Sequence, residues 1–227
     1  LDQSRNHQSG ESYNSYNRIN LREKRPMKIN KNLIALIITA VGALLLGVQL
    51  QADQAYMFFY RESQQLLFLD WSYISEVLLQ FGGVGLFVSQ FLVQFFIHPV
   101  VGAATTAVIV GVSVWMLWLT MRKINDNVAL LPLLFVPSLF VVMYIATSYH
   151  HYTGLVAIMF MAIALWGYSL CREQSYKVRV GIGAAITLVL YLLVGSIGML
   201  FAMCALLFDV MLKREKWYLG AIYAAIA

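Results

Sequence analysis

The sequence predicts an all-α fold, a polytopic transmembrane helix bundle of about six or seven apolar segments, on three observations. Of 227 residues, 60% are hydrophobic and 12% charged, whereas a soluble domain carries about 25% charged residues to solvate its surface. Residues 103–121 and 180–208 contain no Asp, Glu, Lys or Arg. Such runs match the roughly 20 apolar residues that a helix needs to cross a hydrocarbon core about 30 Å thick. The basic residues, third, sit beside apolar runs, where they orient a membrane protein. The net charge of +5 does not point to nucleic acid, because five of the 16 basic residues (Arg5, Arg18, Arg22, Lys24, Arg25) lie in the first 26 positions and the rest flank apolar runs. The expected partner is the lipid bilayer, with no nucleic-acid partner. Cys171 and Cys204 form no disulfide framework or metal motif.

Residues 1–26 are rich in Ser, Asn, Gln and Arg and lack the apolar groups that offset the entropy of ordering, so they are expected to be a disordered or non-native upstream segment. Met27 opens a basic lead-in, Met-Lys-Ile-Asn-Lys-Asn, and is the expected natural start. At the other end an apolar segment starts at Trp217 and stops after eleven residues at Ala227. That is too short to span, which predicts that residues 27–227 are the N-terminal part of a longer membrane domain.

The first span, 33–50, is 18 residues long, beyond the roughly 7 to 15 of a signal-peptide core, and reads as a signal anchor. Lys28 and Lys31 precede it and place the N-terminus in the cytoplasm. The outer loop that follows carries Asp53, Glu62 and Asp70 against Arg61, and is dense in aromatics (Tyr56, Phe58, Phe59, Tyr60, Phe68, Trp71, Tyr73). It is expected to lie along the membrane interface. Residues 71–98 read as one helix, and helical spacing puts Glu76, Gln80, Gly83, Gln90, Gln94 and His98 on one face. His98-Pro99 breaks the chain, and Pro99 suits the first position of the next helix.

Span 100–121 ends in Trp115, Trp118, Arg122 and Lys123, an interfacial anchor. Span 130–146 carries Pro132 and Pro137; Tyr149-His150-His151-Tyr152 follows as a loop or helix end, then span 153–170. The loop 171–179 holds Arg172, Lys177 and Arg179 against Glu173. Residues 180–212 are too many for one span and read as two short helices joined at Gly195-Ser196-Ile197-Gly198, which returns Lys213, Arg214 and Lys216 to the side of loop 171–179. Two topologies remain. If 77–97 crosses, the basic loops 122–127 and 171–179 fall outside; if it is re-entrant or interfacial, every basic loop falls inside.

Asp53, Glu62 and Asp70 are the candidate catalytic residues, as acid and base or as oxygen ligands of a divalent metal on an outer loop without a metal-loop spacing, against the reading of a solvated acidic loop. Glu76, Gln80, Gln90, Gln94 and His98 line a substrate path or hydrogen-bond neighbouring helices. His150 and His151 form a polar site or sit as interfacial residues beside Tyr149 and Tyr152. Asp209 stands four residues before Lys213, an i,i+4 ion pair at a helix end. There is no phosphate-binding glycine loop, nucleophile elbow or zinc-protease motif; no metal site is expected and no cofactor is specified.

The short basic lead, single span and aromatic acidic loop, followed by Phe81-Gly82-Gly83 and Ser89-Gln90-Phe91-Leu92-Val93-Gln94-Phe95-Phe96, resemble a family of uncharacterised bacterial multi-pass inner-membrane proteins. The resemblance covers residues 27–217 and implies no activity. More distantly, a first span leading into an acidic outer loop resembles polytopic glycosyltransferases that use lipid-linked sugars. That likeness implies a catalytic acid at Asp53, with Gln54 where a paired motif has its second acid. The two functions to separate are a membrane enzyme acting on lipid-linked or envelope glycan substrates, and a transporter or non-catalytic membrane component.

Overall fold

The computed structural model describes residues 30–53, 55–64, 67–68, 70–147 and 152–212. Met27, His150, His151, Lys213 and the segment from Trp217 lie outside them. All regular structure among the described residues is helical: α1 (Lys31–Asp53), α2 (Ala55–Gln64), α3 (Trp71–Leu79), α4 (Gly83–Val93), α5 (Pro99–Met121), α6 (Val136–Thr147), α7 (Thr153–Leu170), α8 (Tyr176–Val194) and α9 (Ile197–Met211). Short 3₁₀ helices precede α5, at Gln94–Ile97, and α6, at Val128–Phe135. By length and composition α1, α5, α7 and α8 are each able to cross a membrane, and Gly83–Ile97, Val128–Tyr144 and Ile197–Met211 are shorter apolar helices.

Contacts fix how these rods run. Gly47 approaches Ala107 and Gly111 approaches Ala43, so the body of α1 is antiparallel to α5, with small residues permitting the approach. The Thr106–Tyr152 and Lys123–Ser169 hydrogen bonds have the same residue separation, which makes α5 and α7 parallel. Between them the chain returns through 128–147, where Pro132 sits inside the 3₁₀ stretch because it lacks the N–H that a continuous α-helix needs. Gly198 packs against the Thr187 carbonyl while Arg179 meets Asp209, so α8 and α9 form an antiparallel hairpin turning at Gly195. Its φ of 85° is a left-handed conformation that glycine takes without a Cβ clash. The two helices predicted within 180–212 are therefore observed. One end of the bundle gathers the basic loops 122–127 and 171–179; the starts of α5 and α7 and the Gly195 turn lie at the other.

The segment 71–98 departs from the single helix expected of it. Gln80 is extended and Gly82 is left-handed at φ 78°, so the chain folds back and α3 and α4 form a hairpin in which Tyr73 reaches Gln90. Along α4, Gly85 packs on Val194, Ser89 bonds Thr153, and Phe96 beyond it packs on Tyr152. Every one of those partners lies at the end away from the basic loops, so α3 and α4 lie across that end and do not traverse the bundle. Among the described residues, the basic loops 122–127 and 171–179 gather at one end of the bundle, the end away from α3 and α4. The α8–α9 turn is short enough to leave backbone groups to satisfy, and Gly82 donates its N–H to the Leu192 carbonyl there at 3.0 Å.

Candidate functional site

Three places gather polar or cavity-forming residues. At the basic end, the first turn of α8 and the last turn of α9 bring Arg179 and Asp209 into a salt bridge, their side chains 1% and 13% exposed. Tyr168, near the end of α7, donates its hydroxyl to the other Asp209 oxygen at 2.8 Å, and its ring lies under the Arg179 guanidinium, 5.6 Å from centroid to Cζ. Three helices are thus tied by one carboxylate. The expected Asp209–Lys213 pair falls outside the described residues, and sequence reasoning missed Arg179 as the partner. The signal was present: Asp209 is the single charge in 180–212, and an acid in a span needs its counter-ion. Beside this cluster the Lys123 ammonium donates to Ser169 Oγ at 2.9 Å, and Arg172 donates to the Lys123 carbonyl at 3.2 Å. Burial, with the Arg172 and Arg122 charges adding to it, holds the Lys123 ammonium below the usual lysine range.

At the opposite end the predicted polar face is divided between two helices. Glu76 and Gln80 are exposed on the α3 side, whereas Gln90 and Gln94 are half-buried on the α4 side, with Gln90 Nε2 donating to the Tyr73 hydroxyl at 2.9 Å. His98 is exposed and caps α5 through backbone position without a side-chain bond. Ser89 and Thr153 hydroxyls pair at 2.9 Å, and Thr106 and Tyr152 at 3.0 Å. Phe58, Phe96 and Tyr152 stack edge to face, and a Cβ on Gly102 would meet the Phe58 ring at 2.6 Å. The helix α2 is thereby pinned on the bundle through Phe58. Of the candidate acids, Asp53 and Asp70 are exposed and Glu62 is half-buried; Asp70 accepts from Ser72. Among the described residues no three of His, Cys, Asp and Glu come together as a ligand set.

The third place is a groove of about 840 Å³ between α1 and α5, walled by Leu36, Ala40, Leu44, Val48, Val108 and Val112 among others. Two polar atoms in its wall, Thr39 Oγ1 and Gln51 Oε1, are buried without a hydrogen-bond partner. Gln51 and Ala52 sit at the end where α5 begins, and Asp53 follows them.

Family comparison decides what this chain is related to, since residues 28–227 match the model of DUF6057, a family of unknown function. The chain belongs to DUF6057. The match spans α1 to α9, so the bundle, the α3–α4 hairpin and the buried ion pair all fall within DUF6057 sequence. The resemblance to an uncharacterised multi-pass family is supported to that extent, and DUF6057 brings no activity with it. No curated protein and no solved structure matches the chain.

Proposed function

We propose that this DUF6057 protein is a membrane enzyme of glycosyltransferase type that takes a lipid-linked substrate at the outer face of a bacterial cytoplasmic membrane, holding the lipid chain in the groove between α1 and α5. The observation that carries this reading is the length of the groove. Its walls run over residues 36–52 of α1 and 100–116 of α5, about 24 Å at 1.5 Å per residue. Half of a hydrocarbon core is about 15 Å, the depth available to one phospholipid chain in its leaflet. A longer chain, of the isoprenoid-carrier kind, matches the groove better. Gln51 at its mouth has a carbonyl to offer the polar head, and Asp53, two residues on and exposed, is the carboxylate placed to take a proton from an acceptor hydroxyl. Sidedness follows from the basic loops, which belong in the cytoplasm and put Gln51 and Asp53 outside.

A non-catalytic membrane component is the second reading, favoured by the way Tyr73 with Gln90, Ser89 with Thr153, and Tyr152 with Thr106 spend their hydrogen bonds on one another. A photoactivatable polyisoprenyl phosphate offered to the reconstituted protein separates the two. Cross-links confined to peptides covering 36–52 and 100–116, and lost in Ala104→Trp, which fills the groove, are the expected outcome. Equal labelling by a photoactivatable phosphatidylcholine would overturn the substrate reading.

A further inference from the structure

At its tip the α3–α4 hairpin presents large apolar side chains outward: among the described residues Leu79 is 87% exposed and Phe81 75%. We infer that this hairpin is re-entrant, its tip set below the headgroups of the leaflet opposite the basic end, where acyl chains cover Leu79 and Phe81. The level of the tip is fixed by α8. Gly82 donates its N–H to the Leu192 carbonyl at 3.0 Å, so the tip stands beside the last turn of that helix. Lys177, exposed at the start of α8, comes 15 residues before Leu192, a distance of about 22 Å at 1.5 Å per residue. A hydrocarbon core is about 30 Å thick. With Lys177 at the boundary on the basic side, the tip falls about 8 Å short of the opposite boundary, and any tilt of α8 shortens its reach further. α9, with 15 residues, reaches no further, whereas α5, with 23, is long enough to cross fully. The shortfall is therefore local to α8 and α9, and the hairpin fills it.

Polarity along the hairpin follows the same depth. Asp70, Ser72, Ser75 and Glu76 stand at the start of α3, toward the headgroups; from Val77 to Val88 the only polar side chains are Gln80 and no other, and from Val77 to Ile97 there is no charge. Backbone groups at the tip are spent as lipid demands, the Gln80 amide on the Val77 carbonyl and the Gly83 amide on the Gln80 carbonyl, beside the Gly82 bond to α8. The Phe81 ring rests on Tyr191 with centroids 6.0 Å apart, which joins the tip to the exposed apolar flank of α8 at Leu188 and Leu192. On a span such a flank faces acyl chains, and the tip continues it. A second copy of the chain or another protein seated on the tip would explain the exposure of Leu79 and Phe81, but not the shortness of α8 and α9 beneath them.

Electron paramagnetic resonance of the full chain in phosphatidylcholine vesicles tests this, with one spin-labelled cysteine at a time and Cys171 and Cys204 replaced by Ser. Collisions are compared with oxygen, which concentrates in hydrocarbon, and with a nickel chelate, which stays in water. Labels at Leu79→Cys and Phe81→Cys are expected to collide often with oxygen and rarely with nickel, matching Leu188→Cys on the flank of α8, while Glu76→Cys shifts toward nickel. Leu79 makes the test independent of the Phe81–Tyr191 contact, which the second label removes. Nickel collisions at 79 and 81 as frequent as at 76 would put the tip in water. Few collisions with either reagent would put it against protein. Either result overturns the proposal.

Discussion

Asp209 is tolerated in an apolar helix because Arg179 answers its charge and Tyr168 its second oxygen. Removing one partner of such a pair leaves the other charge buried, at a cost of about 3–5 kcal/mol. Asp209→Ala and Arg179→Ala are therefore each expected to lower the thermal unfolding temperature in detergent strongly. The paired replacement Arg179→Met with Asp209→Leu is expected to recover most of the loss, since no uncompensated charge remains. Lys123 supplies a pH dependence of determinate sign. Its folded pKa lies below the ordinary lysine value of 10.5, so in the window between the two the unfolded chain binds more protons. Stability then rises with pH through that alkaline window and levels off above 10.5. Lys123→Met is expected to flatten this rise in unfolding curves measured at stepped pH.

Among the helices, glycine decides which ones turn. Gly82 and Gly195 are left-handed, and a Cβ on Gly83 would collide with the Val77 carbonyl oxygen inside the α3–α4 hairpin. Gly83→Ala is thus expected to destabilise and to loosen that hairpin. Gly181→Ala in α8 meets nothing within 4 Å and is expected to be neutral or to stabilise by up to about 1 kcal/mol; both are read by unfolding in detergent. The elements most legible in the sequence were those bounded by charge or by Pro and Gly, such as 153–170 and the pair joined at Gly195. The 71–98 segment was misread for a physical reason. Helical spacing counts positions along an unbroken rod and takes no account of the left-handed residue at Gly82, so it placed Glu76 and Gln94 on one face of a helix that does not exist. The information that it does not run the length of the bundle lay in distant residues, Val194, Thr153 and Tyr152, on which it packs.

In the whole molecule, the same distinction separates what sequence reading found from what it missed. Bundle and apolar rods follow from composition, but Arg179 with Asp209, Lys123 with Ser169, and Tyr73 with Gln90 arise only once helices are laid side by side. The groove between α1 and α5 was likewise invisible, because its walls are ordinary Leu, Ala, Gly and Val positions. What unites the molecule is one layout: rods running between a basic end and an end covered by the α3–α4 hairpin, with 71–98 starting and finishing on the same side. Cysteine accessibility measures this directly in sealed vesicles, using single Cys placed at Glu76, His98, Asn125 and Gln174 in a background where Cys171 and Cys204 are replaced by Ser. Positions 76 and 98 are expected to react with an impermeant maleimide from one side and positions 125 and 174 from the other; reaction of position 76 from the side of 125 and 174 would contradict it.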